Sequence, residues 1–223
     1  MTAGGAPAGL IQAVLPVGTV GVEAFGDAGA GPLFPAERSA VARAVPERVA
    51  EHTTVRHLAR TALVGLGVAP VAIPTDEAGA PVWPTGIVGS LTHCAGYRAA
   101  AIARRADLAC LGIDAEPDVP LPEGTLEVVA SDAERAALAA LPSGPAWDRL
   151  LFSVKESVFK AWHPVMRRWL GFEEAQVRLH TDGTASVRLV GQALIVGGRS
   201  VDVLTAHWHR ARNVLLTCVS VRP

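Results

Sequence analysis

Two carboxylates stand one residue apart in Gly112-Ile113-Asp114-Ala115-Glu116. In an extended strand alternate side chains share a face, so Asp114 and Glu116 point the same way. Side by side they repel each other unless a cation lies between them, and hard oxygen ligands so placed suit Mg²⁺. The same pattern also describes a solvated strand end. About forty residues on, Phe152-Ser153-Val154-Lys155-Glu156-Ser157-Val158-Phe159-Lys160 carries two ammonium groups around a carboxylate. On a helix Glu156 and Lys160 are i, i+4 neighbours. Taken alone they make a surface ion pair worth a few tenths of a kcal/mol. The apolar crowd around them (Phe152, Val154, Phe159, Ala161, Trp162) reads instead as a cleft wall.

Two further clusters could hold an anion. Arg48, His52, Arg56 and Arg60 recur every four residues, a slowly drifting basic stripe on one helix, or simply a solvated face. In Gly89-Ser90-Leu91-Thr92-His93 a glycine and small hydroxyls permit backbone approach to an anion, and His93 could donate to a phosphate oxygen. The alternative is a core strand with a satisfied histidine. Each cluster alone is weak. Together they supply a metal pair, an acid/base with an ammonium, and phosphate-holding groups, the parts needed to attack a diphosphate. The chain's 20 basic residues include only two lysines, Lys155 and Lys160, so a compact ammonium is read as wanted there.

The elements that must position these groups follow from periodicity. Residues 10–25 read as two short strands about a Pro-Val-Gly turn, and 36–45 as helical. Residues 47–66 form a strong amphipathic pattern with Val55, Leu58, Ala59, Ala62, Leu63 and Leu66 on one face. A proline-rich loop spans 70–86. Strands are expected at 88–93, 97–104 and 108–116, the last two as a hairpin. Ser131 with Glu134 is a capping box opening a helix to about Leu141. A helix over 147–162 precedes strands near 174–180, 184–190, 201–208 and 213–221, with Asp182-Gly183 as a hairpin turn. Segregated helices and strands argue an α+β fold with mostly antiparallel sheet. The proline run at 117–122 divides it into halves, 1–117 and 118–223.

Bulk properties bound the reading. The chain has 223 residues, 50% hydrophobic, enough for a substantial core. A net charge of −1 gives no sign of a nucleic-acid partner. Three widely spaced cysteines in apolar stretches read as buried free thiols in a reducing cytosol. The N-terminus lacks a basic n-region and its apolar run is broken by Pro16 and Gly18, which argues against a signal peptide. No run of 18 apolar residues occurs, so no membrane span is expected. No G-x-x-x-x-G-K-[ST] loop is present, which removes a P-loop enzyme.

G-x-D-x-E followed by F-x-x-K-E-x-x-x-K resembles the paired signature of 4′-phosphopantetheinyl transferases of the surfactin/enterobactin type, with actinobacterial-like wording. Pro81-Val82-Trp83-Pro84, Gly89–Cys94 and Arg56-His57-Leu58-Ala59-Arg60 also match that family. The resemblance implies a pseudo-dimer of two α+β halves, each a sheet packed with a long helix, with coenzyme A bound between them. It implies that Asp114, Glu116 and Glu156 hold Mg²⁺. Arg48, Arg56 and His93 would grip the 3′-phosphate, with Ser90 and Thr92 near the nucleotide, and Lys155 and Lys160 on the phosphates. Phe152, Phe159, Trp169 and Leu170 would line the pantetheine path. Glu156 is the expected base, directly or through water, and Lys155 the expected stabiliser of the transferring phosphate. The implied reaction moves phosphopantetheine from coenzyme A to a serine of an apo acyl or peptidyl carrier protein and releases 3′,5′-ADP. A cytoplasmic monomer is expected. The rival reading is a non-catalytic coenzyme A or carrier-protein binding module. Two departures stand out: close relatives often carry a lysine just before the P-x-W-P segment, where this chain reads Ile73-Pro74-Thr75-Asp76-Glu77, and the middle of D-x-E is the non-ligating Ala115.

Overall fold

A computed structural model describes residues 9–223. Residues 1–8, where the signal-peptide argument begins, lie outside the described residues. Leu10–Ala13 forms a 3₁₀ turn, followed by β1 (Val20–Phe25). The expected strand pair is thus one strand and a turn. The reason is local: the Glu23 carboxylate of β1 accepts from the N–H groups of Leu10 and Ile11 at 2.8 Å each, using donors that a strand would have given to a neighbour. Residues Pro35–Val41 are 3₁₀. Helix α1 (Pro46–Gly65) opens on a proline, which needs no N–H partner there.

Strands β2 (Ile87–Cys94) and β3 (Tyr97–Arg104) form a hairpin, and β1 pairs with the other edge of β3. The hairpin therefore forms one strand earlier than the expected pairing of residues 97–104 with 108–116. Strand β4 (Cys110–Pro117) instead pairs antiparallel with β10 (Val214–Val221) along its whole length. Between them in the chain lie α2 (Thr125–Val129), α3 (Asp132–Ala139), α4 (Trp147–Met166), β5 (Ala175–Leu179), β6 (Thr184–Leu189), the ribbon β7 (Leu194–Val196) with β8 (Arg199–Val201), and β9 (Val203–Ala211). The large sheet runs β4-β10-β9-β6-β5 and the small one β1-β3-β2, all pairs antiparallel. The fold is α+β: two sheets, each carrying a 20-residue helix, α1 on the small sheet and α4 on the large one. Sequence division at residue 117 puts β4 in the first half, whereas its ladder lies in the second sheet. The prolines after it mark a stiff turn, whose carbonyls at Val119 and Pro120 are taken by Arg149.

The two sheets meet at β2 and β4 without a backbone ladder. Side-chain hydroxyls of β2 take its place. Ser90 Oγ accepts from Ile113 N at 3.0 Å, and Thr92 Oγ1 accepts from Ala115 N at 2.9 Å. Residues two apart on one strand meet residues two apart, in the same order, on the other, so the strands run parallel. Ser90 and Thr92 are buried, and without these bonds two buried N–H groups of β4 would lack partners.

Candidate active site

Helix α4 lies directly on β4. A side chain at Gly112 would put its Cβ 2.0 Å from the Ser157 carbonyl oxygen and 2.6 Å from Ala161 N, so only glycine permits this crossing. The contact sets the register of everything around it. One turn before Ser157, Ser153 Oγ donates to Asp114 Oδ2 at 2.8 Å. On the other side Lys160 Nζ donates to Asp114 Oδ1 at 2.7 Å, and Thr92 Oγ1 donates to the same oxygen at 3.2 Å. Asp114 is buried and holds three donors. Behind it Ser153, Thr217 and Ser157 form a chain of fully buried hydroxyls, with Oγ–Oγ1 distances of 2.9 and 2.6 Å. Glu116 is held separately, by Arg149 at 3.0 Å.

A cleft of about 470 Å³ lies between α1, the loop at residues 75–81, β2 and α4. Arg48, His52 and Arg56 line it from α1, Ser90, Thr92 and His93 from β2, and Glu156, Phe159, Lys160 and His163 from α4. Three fixed cations, Arg48, Arg56 and Lys160, face one carboxylate, Glu156, so the cleft favours a polyanion. Its size is that of a cofactor pocket. A smaller groove of about 80 Å³, lined by Lys155, Glu156, Phe159, Trp169, Leu170 and Phe172, opens off the other flank of α4. Glu156 and Phe159 belong to both.

The environment tunes these groups. Burial and then the charge of Asp114 push the Glu156 carboxyl upward, and only Lys160 works against them. Glu116 is raised by the same two causes, opposed by Arg149 and Lys160. Burial, with Arg48, Arg98 and Lys160 nearby, holds His93 below the ordinary histidine range despite Glu51. His93 touches Arg48 through Nε2 and lies 3.5 Å from Glu51 through Nδ1. Burial and then the neighbouring guanidiniums of Arg56 and Arg48 push His52 down to about 4, so it is neutral at physiological pH.

Several residues are placed differently from the sequence expectation. The basic stripe is not uniform: Arg48 is exposed, whereas His52, Arg56 and Arg60 are buried. Arg60 is buried against Glu37 at 2.7 Å, outside the cleft, and Arg56 is buried with its Nε on the Ile73 carbonyl at 2.8 Å and Nη2 on Thr75 Oγ1 at 2.8 Å. Arg56 therefore stands at Thr75, in the segment where the family resemblance led to the expectation of a lysine. The hydroxyls of Ser90 and Thr92 line the cleft but are committed to the seam. The space at Gly89 is filled by Trp83 and Ile102, whose atoms would lie 2.7 Å from a Cβ, so the glycine serves packing instead of anion approach.

Lys155 is corrected most. Its side chain is 1% exposed, and its Nζ donates to Glu134 at 2.9 Å and to the Phe172 carbonyl at 2.8 Å. It does not line the larger cleft. Phe152 packs on Phe172, with ring centroids 6.1 Å apart, and lines neither cavity, whereas Phe159, Trp169 and Leu170 line the groove. Among the described residues no three His, Cys, Asp or Glu side chains gather closely enough to cage a metal. The donor set nonetheless fits a divalent ion held by one or two carboxylates with the remaining oxygens from a phosphate ligand and water. Burial and the charge of Asp114 raise both Glu116 and Glu156, a cost that a bound cation would relieve, and among the described residues no hydrogen bond holds Glu156.

The sequence reading missed Arg149, Ser153, Thr217, Glu134 and His163. His163 follows Glu156 and Lys160 at helical spacing and could have been found that way. Arg167, in left-handed conformation at the end of α4, reaches Asp76 at 2.8 Å and ties the cleft-lining loop to the second half. No helix among the described residues is long and apolar enough to cross a membrane, and all three cysteines are free thiols.

Comparison with known proteins agrees with this geometry. Residues 36–103 match the 4′-phosphopantetheinyl transferase N-terminal domain, and residues 110–218 match the 4′-phosphopantetheinyl transferase superfamily. The gap between the matches falls at the passage from β3 to β4. The chain is similar to 4′-phosphopantetheinyl transferase Svp of Streptomyces mobaraensis, 48% identical over 95% of this chain and 89% of the relative. It is 45% identical to PptT of Mycobacterium tuberculosis over 83% and 85% of the two chains. The corresponding protein Npt of Nocardia iowensis is 41% identical over 95% and 99%. The family uses coenzyme A, is generally dependent on a divalent metal, and acts on carrier proteins. The chain belongs to the 4′-phosphopantetheinyl transferase superfamily and is a transferase of phosphopantetheine to carrier proteins.

Proposed function

We propose that the cleft binds the nucleotide end of coenzyme A and that Glu156 activates the serine of an apo acyl or peptidyl carrier protein. The observation that supports this reading is the placement of Glu156. It is the one carboxylate among three cations in the larger cleft, and it also faces the apolar groove. Arg48, with His93 beside it, and Arg56 hold the 3′-phosphate, and Lys160 meets the diphosphate. Phe159, Trp169 and Leu170 give the pantetheine arm its path through the groove. Mg²⁺ would be held by one or two of Asp114, Glu116 and Glu156 together with phosphate oxygens and water, and would supply charge neutralisation on the diphosphate.

A serine hydroxyl is a poor nucleophile at neutral pH. Glu156, pushed upward by burial and by Asp114, is tuned toward a usable base. The serine proton passes to its carboxylate, directly or through a water. The serine oxygen bonds to the pantetheine-side phosphorus, the bond to the bridging oxygen breaks, and 3′,5′-ADP leaves with its charge against Lys160 and the arginines. Lys155 acts through position: its ammonium pins the start of the groove wall at Phe172 to α4 beside Glu156. Both walls of the cleft come from one chain, which supports a monomer, and the family is typically cytoplasmic, which supports that location.

Glu156→Gln keeps the shape and removes the basicity. Single-turnover transfer to a carrier protein, with coenzyme A saturating, is expected to fall ~10²–10⁴-fold. Near-parental turnover in this variant would remove Glu156 from the role of base.

A further inference from the structure

The ammonium of Lys160 sits 2.7 Å from Asp114 Oδ1, a contact as short as a charge-assisted hydrogen bond allows. Oδ1 also accepts from Thr92, and Oδ2 accepts from Ser153, which is hydrogen-bonded in turn to Thr217. Lys160 is also the cation that both Glu116 and Glu156 feel. One carboxylate proposed for the divalent metal, Asp114, is thus already in contact with an ammonium carried by the protein itself. That ammonium is on a flexible four-carbon stem, its side chain is 29% exposed, and it lines the cleft that would receive a diphosphate.

We propose that Lys160 and the divalent cation compete for Asp114, so that the metal enters when the diphosphate of coenzyme A draws the ammonium off the carboxylate. Two positive charges on one buried carboxylate oxygen repel strongly, because little water or salt screens them. A diphosphate offers the ammonium an alternative anionic partner within its reach. The exchange couples the two ligands. Metal affinity rises when coenzyme A is bound, and by linkage coenzyme A affinity rises equally when metal is bound. Lys160 then has two duties in order: it neutralises Asp114 first and the reacting phosphates afterwards. Arg149 on Glu116 cannot do the same, since its guanidinium is also fixed on the carbonyls of Val119 and Pro120.

This proposal rests on the functional reading above, and the chain offers an unusually clean test of it. With only two lysines, protein labelled with ¹³C-lysine gives ε-methylene signals from Lys155 and Lys160 alone. Mg²⁺ together with coenzyme A is expected to shift the Lys160 signal, and the buried Lys155 signal should stay where it is. In parallel, Mn²⁺ binding is measured by electron paramagnetic resonance. Lys160→Met is expected to bind Mn²⁺ alone roughly 10-fold more tightly than the parent, since the competitor is gone. Its gain from added coenzyme A should shrink. A Lys160 signal unmoved by Mg²⁺ and coenzyme A overturns the proposal, as does a folded Lys160→Met protein that binds Mn²⁺ no more tightly. If carrier protein is still modified while the Lys160 signal stays fixed, the exchange alone fails. If coenzyme A does not bind at all, the exchange and the functional reading fail together.

Discussion

The two lysines of this chain lie little more than one helical turn apart and live in opposite worlds. Lys155 is sealed between Glu134 and the Phe172 carbonyl, with a side chain 1% exposed. Glu134 is held below the usual carboxylate range. Burial alone would raise it, but hydrogen bonds from Val177 N–H, Lys155 and Ser131 N–H outweigh burial. Lys160 is 29% exposed, sits over Asp114 and looks into the cleft. The family resemblance assigns both ammonium groups to phosphates, and a helical segment carrying K-E-x-x-x-K says nothing of what packs on each flank. The structure separates a lysine that builds the site from one that works in it. A buried ion pair whose every partner is satisfied fixes geometry. A half-exposed one can be exchanged.

This contrast can be broken by matched substitutions. The largest effect is expected for Lys155→Met, which leaves the Glu134 carboxylate buried without its ammonium. Loss of about 3–5 kcal/mol of stability follows, read as a fall of roughly 10 °C in Tm. Its folded fraction at low temperature should keep most of its turnover. Parental stability with lost turnover would return Lys155 to the phosphates. Lys160→Met leaves buried Asp114 with Thr92 and Ser153 as its donors, so Tm should fall as well. The contrast is read in turnover, which should fall ~10²-fold in single-turnover kinetics.

Ser153→Ala sharpens the comparison from the Asp114 side. It removes one of three donors to the carboxylate and leaves Thr217 Oγ1 with Ser157 Oγ and the backbone carbonyl of residue 153. Destabilisation of about 1–3 kcal/mol is expected by urea unfolding. The smallest effect concerns pH. The Glu156 carboxyl is raised on folding, so its contribution to stability is fully present below the ordinary glutamate pKa and is lost as pH rises through the folded value. Glu156→Gln should therefore melt slightly above the parent at pH 7. That difference should close as pH falls below about 4.3, measured by calorimetry at both pH values.

Much of the site was legible because its chemistry is local. Asp114 and Glu116 share a strand face, Glu156 and Lys160 share a helix face, and such spacings survive any tertiary arrangement. The helices over 47–66 and 147–162 and the capping box at Ser131 were legible for the same reason. What escaped is non-local. Nothing in Cys110–Pro117 says that its ladder partner lies a hundred residues away in β10 instead of in the adjacent β3. The stripe on α1 was read as one face, yet Glu37 draws Arg60 into the core, while Thr75 and Ile73 hold Arg56. Ser90 and Thr92 were read as ligand contacts, because a hydroxyl beside a glycine looks the same whether it meets a nucleotide or the N–H of a neighbouring strand.

The most direct test of the account is the intact mass of a purified apo carrier protein after incubation with this protein, coenzyme A and Mg²⁺, with and without EDTA. The account predicts a metal-dependent gain of ~340 Da, the mass of one phosphopantetheine arm. Coenzyme A bound in the cleft with no gain in mass on any of several apo carrier proteins would contradict it.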